Sequence, residues 1–130
     1  MKAVAQDEAM GCGVACVASI CGLSYKKTKS SLFYDIGDDR AGYLCKDLVK
    51  ALRRSGRNYA FAHIKKYEKK GSAYENGAIV YIKEIDHYLL KTKRGWMDPW
   101  VNFPEIGTKI KSGFRKKCPA KPQWIIYPLF

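Results

Sequence analysis

Of the residues able to do covalent chemistry, Cys12 has the most telling neighbours. It sits between Gly11 and Gly13, where a loop enters an apolar helical run in residues 6–23, QDEAMGCGVACVASICGL. A thiol there lies against the positive end of the helix dipole, beside backbone N–H groups without intrahelical partners, and that setting stabilises the nucleophilic thiolate. Cys16 and Cys21 stand deeper in the run, where neither dipole nor solvent helps them ionise, and they read as core. Cys45 reads as core on a later helix; Cys118, beside Pro119 in a basic loop, reads as exposed and oxidisable. The bland alternative for Cys12 is an inert buried thiol. A zinc site is not expected, because no second ligand pair closes the set that Cys12 and Cys16 would begin.

A thiolate needs a base, and the chain offers two histidines. His87 opens the run HYLLKTK, and Asp98 follows in WMDPW, on the expected return strand of a hairpin. A carboxylate on the far ring nitrogen fixes the tautomer and favours the imidazolium of a Cys/His pair. His63 is followed by Lys65 and Lys66, which disfavour an imidazolium, so it reads as structural or surface. For His87 to face Asp98 directly, the hairpin must turn near Thr92 and Lys93, whereas Gly95 is the natural turn residue. A turn at Arg94 or Gly95 brings Asn102 closer, which makes Asn102 the reserve third member. Gln6, an amide just upstream of the thiol, is the kind of neutral donor an oxyanion hole uses.

The elements that must position these groups divide the chain in two. Residues 12–56 read as helical: Val14, Val17, Ala18 and Cys21 recur at helical spacing in a helix buried on most sides and ended by Gly22. Ser24 caps a short second helix through Lys29, and Leu44, Leu48, Ala51 and Leu52 make a third stripe that stops at Gly56. From Asn58 onward the runs YAFAHI, AIVYIKEI, HYLLKTK, WMDPW and QWIIYPLF, separated by Gly, Asn and Pro, read as strands. Residues 65–77 read as a charged loop and GTKIKSGFRKKCPAKP as a basic loop before the last strand. Trp96 and Trp100 read as core or site wall. Helices followed by antiparallel strands predict an α+β fold, in a single domain over residues 1–130.

These residues resemble the papain-like cysteine peptidases, and within them the branch similar to the bacteriocin-processing peptidases that remove double-glycine leaders. The resemblance lies in Q-x5-C-G at Gln6, Cys12 and Gly13, in the helices CGVACVASICGLSY and GYLCKDLVKALRRSG, in HYLL at His87 and in MDP at Asp98, in matching order along most of residues 6–104. It implies a papain-like α+β fold, a bacterial source, a peptide or protein substrate and no cofactor. It implies also that Cys12 attacks a carbonyl, that His87 is its base and then the leaving group's acid, that Asp98 orients His87, and that Gln6 with the Cys12 backbone N–H forms the oxyanion hole. No transporter segment accompanies these motifs, so membrane-coupled leader export is not implied.

Composition and charge frame two readings of function. The chain has 130 residues, 47% hydrophobic, and 24 Lys plus Arg against 12 Asp plus Glu leave a formal net charge of +12. An odd number of cysteines without a secretory segment argues against a disulfide framework, and no run approaches the roughly 18 apolar residues of a spanning helix. A reducing cytoplasm is the expected location. The first reading is a cysteine hydrolase passing through a thioester, with peptidase the expected outcome and deamidation or acyl transfer open to the same triad. The second is a papain-fold toxin or effector delivered into another cell, acting on RNA, an RNA-bound protein or an acidic protein partner. Its surface is Lys91, Lys93, Arg94, Lys109, Lys111, Arg115, Lys116 and Lys117.

Overall fold

A computed structural model of the chain describes residues 1–36, 42–67, 74–105 and 107–129. Three helices come first: α1 (Cys12–Cys21), α2 (Tyr25–Leu32) and α3 (Cys45–Arg54). Six strands follow, β1 (Tyr59–His63), β2 (Ile79–Ile82), β3 (His87–Thr92), β4 (Gly95–Asp98), β5 (Gly113–Arg115) and β6 (Trp124–Pro128), in one antiparallel sheet ordered β1-β6-β2-β3-β4-β5. The α+β expectation holds.

Local chemistry accounts for the helix ends. Residues Cys12 through Ser19 of α1 are all buried, as a helix of small apolar residues must be when it packs between α2, α3 and β3. Gly22 closes it in the left-handed conformation, its N–H donating to Ala18 O. Ser24 caps α2 by accepting from Lys27 N at 3.1 Å, and that helix runs on to Leu32 rather than stopping at Lys29, because Thr28 and Leu32 turn inward to the core. In α3 the Asp47 carboxylate accepts from Leu44 N at 2.8 Å, the apolar stripe buries Leu48, Val49, Ala51 and Leu52, and the helix ends at Arg54, short of Gly56.

The sheet has two unlike faces. Ile79, Tyr88, Leu90, Met97 and Ile126 point to the helices and close the main core, whereas Val80, Ile82, Leu89, Trp96 and Ile125 form a second cluster under Tyr74. His87 opens β3 two residues before Leu89, and Asp98 closes β4 two residues after Trp96. The expected strand AIVYIKEI is a strand only to Ile82; Lys83–Ile85 form a 3-10 turn that lets the chain reverse into His87. Of the charged loop 65–77, residues 68–73 lie outside the described residues. The expected basic loop before the last strand contains β5, which pairs with β4.

Candidate active site

The hairpin register settles which residue meets His87. β3 and β4 pair as Leu90 with Met97, Lys91 with Trp96 and Thr92 with Gly95, so the turn is Lys93–Arg94. Continuing the register puts Asp98 opposite Leu89, and His87 stands two residues earlier on the same face. That is the diagonal relation across an antiparallel pair, within reach of long side chains. His87 Nε2 lies 2.6 Å from Asp98 Oδ1. Asn102, the reserve candidate, is elsewhere: its side chain donates to Lys109 O at 2.9 Å and accepts from Lys111 N at 3.0 Å, bracing the loop before β5.

Cys12 is the first residue of α1, 6% exposed, and close enough to the His87 ring for its sulfur to favour the charged imidazole. With Nε2 committed to Asp98, Nδ1 is the ring nitrogen left open to Cys12. The helix N-cap, Gly11, provides no side-chain acceptor for the first-turn N–H groups. Burial works against a charged His87, but the hydrogen bond to Asp98, the nearby Cys12 sulfur and the charges of both outweigh it and push the ring up to about 9. Asp98 is 2% exposed; burial works to raise its pKa, yet the His87 bond and charge, Arg115 and the Trp100 N–H together hold it below the ordinary carboxylate value.

Gln6 is 2% exposed and anchored by its own backbone, Gln6 N donating to Pro99 O at 3.2 Å, next to Asp98. Its side-chain Nε2 donates to Glu8 O and Ala9 O, both at 2.9 Å, while Oε1 is buried without a partner. In this state the amide organises the loop leading to Cys12.

Two hollows meet at these groups. A cleft of about 410 Å³ is lined by Cys12, Tyr43, Cys45, Tyr81, Asp86 and Tyr88, and a smaller one of about 150 Å³ by Met10, Asp86, His87, Asp98 and Trp100. Asp86 separates them; it holds a left-handed φ of 48° and accepts a hydrogen bond from Tyr81 Oη.

The whole pattern, a helix-opening Cys near a strand-opening His that a buried Asp hydrogen-bonds, falls within a match to the peptidase C39 family over residues 1–112. The chain belongs to the peptidase C39 family. It is therefore a papain-like cysteine peptidase of the bacteriocin-processing type, with a peptide or protein as its substrate. No curated protein matches the chain. No helix among the described residues is long and apolar enough to cross a membrane.

The other cysteines and histidine of this C39 peptidase have structural surroundings. Cys16 is fully buried, and burial raises its pKa well above the ordinary thiol value. Cys45, expected in the core, is only partly buried because it opens α3 beside the cleft. Cys118 is half-buried rather than exposed; its thiol donates to Ala120 O at 3.2 Å, and burial pushes its pKa up. His63 accepts from Lys65 N at 3.2 Å and packs edge-on against Trp124, a structural histidine. Trp96 packs into the second core cluster and Trp100 edge-on against Phe103, as wall rather than stacking platform.

The eight basic residues do not converge on the site. Lys91, Lys93, Lys116 and Lys117 border a groove beside Trp96, Arg94 lies over the Phe114 ring at 4.3 Å, and Lys109 and Lys111 meet the Asn102 side chain through their backbones. Arg115 points inward, its Nε donating to Asp98 Oδ2 at 2.7 Å. Sequence reasoning placed Arg115 on a polyanion surface and missed this pairing. The only available signal was a basic residue on a strand too short to announce itself.

Proposed function

We propose that this peptidase works through Cys12, His87 and Asp98 as nucleophile, acid–base and orienting carboxylate. The observation that carries the reading is the His87 ring, bonded on Nε2 to Asp98 at 2.6 Å, with Cys12 near enough to help raise its pKa. A buried carboxylate beside an imidazole favours the imidazolium, which in turn favours the thiolate at the positive end of α1.

The thiolate attacks the carbonyl carbon of the scissile amide, and the electron pair moves to the carbonyl oxygen. The Cys12 backbone N–H and the Gln6 amide supply donors for that oxyanion, Gln6 by releasing one of its two loop carbonyls. As the C–N bond breaks, the imidazolium delivers its proton to the leaving amine and a thioester remains. Water, deprotonated by His87, then attacks the thioester and releases the acid and the thiol. The larger cleft receives the acyl side of the substrate and the smaller hollow, lined by His87, the leaving-amine side.

The test follows the alkylation rate of each cysteine with iodoacetamide against pH, resolved by mass spectrometry, in the parent and in His87→Ala. Cys12 is expected to react well below the ordinary thiol range of about 8.5 and to lose that advantage without His87. A Cys12 no more reactive than Cys118 would sink the proposal. Cys12→Ala is expected to abolish cleavage of a peptide library while leaving the thermal transition in place.

A further inference from the structure

The Asp98 carboxylate is held from both sides, and the second holder lies outside the stretch that matches the family. His87 Nε2 and the Trp100 N–H, at 2.6 and 2.9 Å, share Oδ1; Arg115 Nε takes Oδ2 at 2.7 Å. Arg115 comes from β5, beyond residue 112, where the family match ends. The pairing of Trp96 with Arg115 and Asp98 with Gly113 makes Arg115 the diagonal neighbour of Asp98 on the β5 side, as His87 is on the β3 side. Three adjacent strands thus present His87, Asp98 and Arg115 in one row.

The backbone is built for this approach. Gly95 sits at φ 109°, and a Cβ there would lie 2.4 Å from Arg115 O, so β5 can draw this close only past a glycine. Gly113 likewise passes Val101 at a distance where a Cβ would stand 3.2 Å from its Cγ1. The guanidinium uses its fork: while Nε bonds Asp98, Nη2 donates to Val101 O at 3.2 Å, tying the carboxylate to the turn that follows it. A lysine has one point charge and cannot make both contacts in fixed geometry.

We propose that Arg115 is a positioning residue of the active site: it fixes the Asp98 carboxylate against the His87 ring by holding its second oxygen. With Oδ1 and Oδ2 both occupied, the carboxylate cannot rotate, and the imidazole it supports stays aimed at Cys12. An ion pair between exposed residues contributes little, but the Asp98 side chain is 3% exposed, and removal of its partner leaves a buried charge that must seek another donor. The inference rests on the triad reading above.

The experiment compares the parent with Arg115→Met and Arg115→Lys. One readout is the downfield proton NMR signal of the His87 Nε2–H; the other is the rate of Cys12 alkylation by iodoacetamide at pH 6, with His87→Ala run alongside. In Arg115→Met the Nε2–H signal is expected to exchange faster or vanish, and Cys12 alkylation to slow about tenfold. Arg115→Lys is expected to recover part of both. A variant that melts earlier with the signal and the rate unchanged would make Arg115 merely structural and overturn the proposal. Faster alkylation would overturn it too, because it would show a counter-charge whose loss simply strengthens the Asp98–His87 attraction. If His87→Ala alkylates like the parent, the triad reading itself fails, and the NMR comparison still reports on Arg115 and Asp98.

Discussion

His87 and Asp98 meet diagonally across the β3–β4 hairpin, with 2.6 Å between Nε2 and Oδ1, because the turn falls at Lys93–Arg94. Moving this two-residue turn one position toward the C-terminus would shift the pairing by two residues and leave Asp98 opposite Lys91, four residues from His87. The contact has a signature in stability. His87 titrates near 9 in the folded chain against about 6.5 for an unperturbed histidine. A raised folded pKa adds stability that is complete below about 6.5 and is lost as pH climbs toward 9. Denaturant midpoints measured at pH 6, 7.5 and 9.5 are expected to fall across this window in the parent and to flatten there in His87→Gln. A parent midpoint that rises through the window would contradict the assignment.

Asp98 and Asn102 were rival partners for His87, and their surroundings predict opposite outcomes. Asp98→Ala is expected to cut peptidase activity by about two to four orders of magnitude, since the imidazole loses its orienting group. Asn102→Ala releases only Lys109 O and Lys111 N, at a cost of about 1 kcal/mol in stability, and activity should stay within about twofold. Steady-state rates of the two variants on one library-derived peptide decide between them.

Gln6 separates two kinds of assay. Alkylation by iodoacetamide forms no oxyanion, whereas peptide cleavage does. If Gln6 acts on the oxyanion, Gln6→Ala should lower the cleavage rate about 100-fold and leave the Cys12 alkylation profile in place. Equal losses in both assays would assign Gln6 to shaping the loop through Glu8 O and Ala9 O alone.

Gly11 bears on how Cys12 is delivered. A Cβ at Gly11 would sit 1.9 Å from Tyr25 Oη, although its φ of −96° suits any residue, so the requirement is space rather than backbone conformation. Gly11→Ala is expected to cost about 1–3 kcal/mol by urea denaturation. Adding Tyr25→Phe, which removes the nearest atom, should recover part of that loss; no recovery would place the cost elsewhere.

Much of this molecule was legible before its structure. Small apolar residues from Cys12 to Ser19 announce a buried helix, Ser24 a cap, Gly22 a stop, and the β-branched and aromatic runs after Asn58 most of the strands, because these are local properties of backbone and side chain. β5 escaped notice: Gly113, Phe114 and Arg115 are too few to alternate, and they form a strand only because β4 lies alongside. Cys45 and Cys118 were misplaced for a related reason, since burial at the end of a helix or in a loop depends on what folds over it.

The sequence by itself determined the chemical inventory: a thiol at a helix start, an imidazole opening a strand, a carboxylate after it and an amide before the thiol, all within the stretch that matches the C39 family. Tertiary structure alone decided the partners. Whether His87 meets Asp98 or Asn102 turns on a one-residue hairpin register, and whether Arg115 faces a polyanion or the Asp98 carboxylate turns on a strand contributed from outside the family match. Both depend on strand pairing, which local propensity does not fix: a hairpin turn moved by one residue shifts the pairing by two, and the pairing decides which side chains become neighbours on one face.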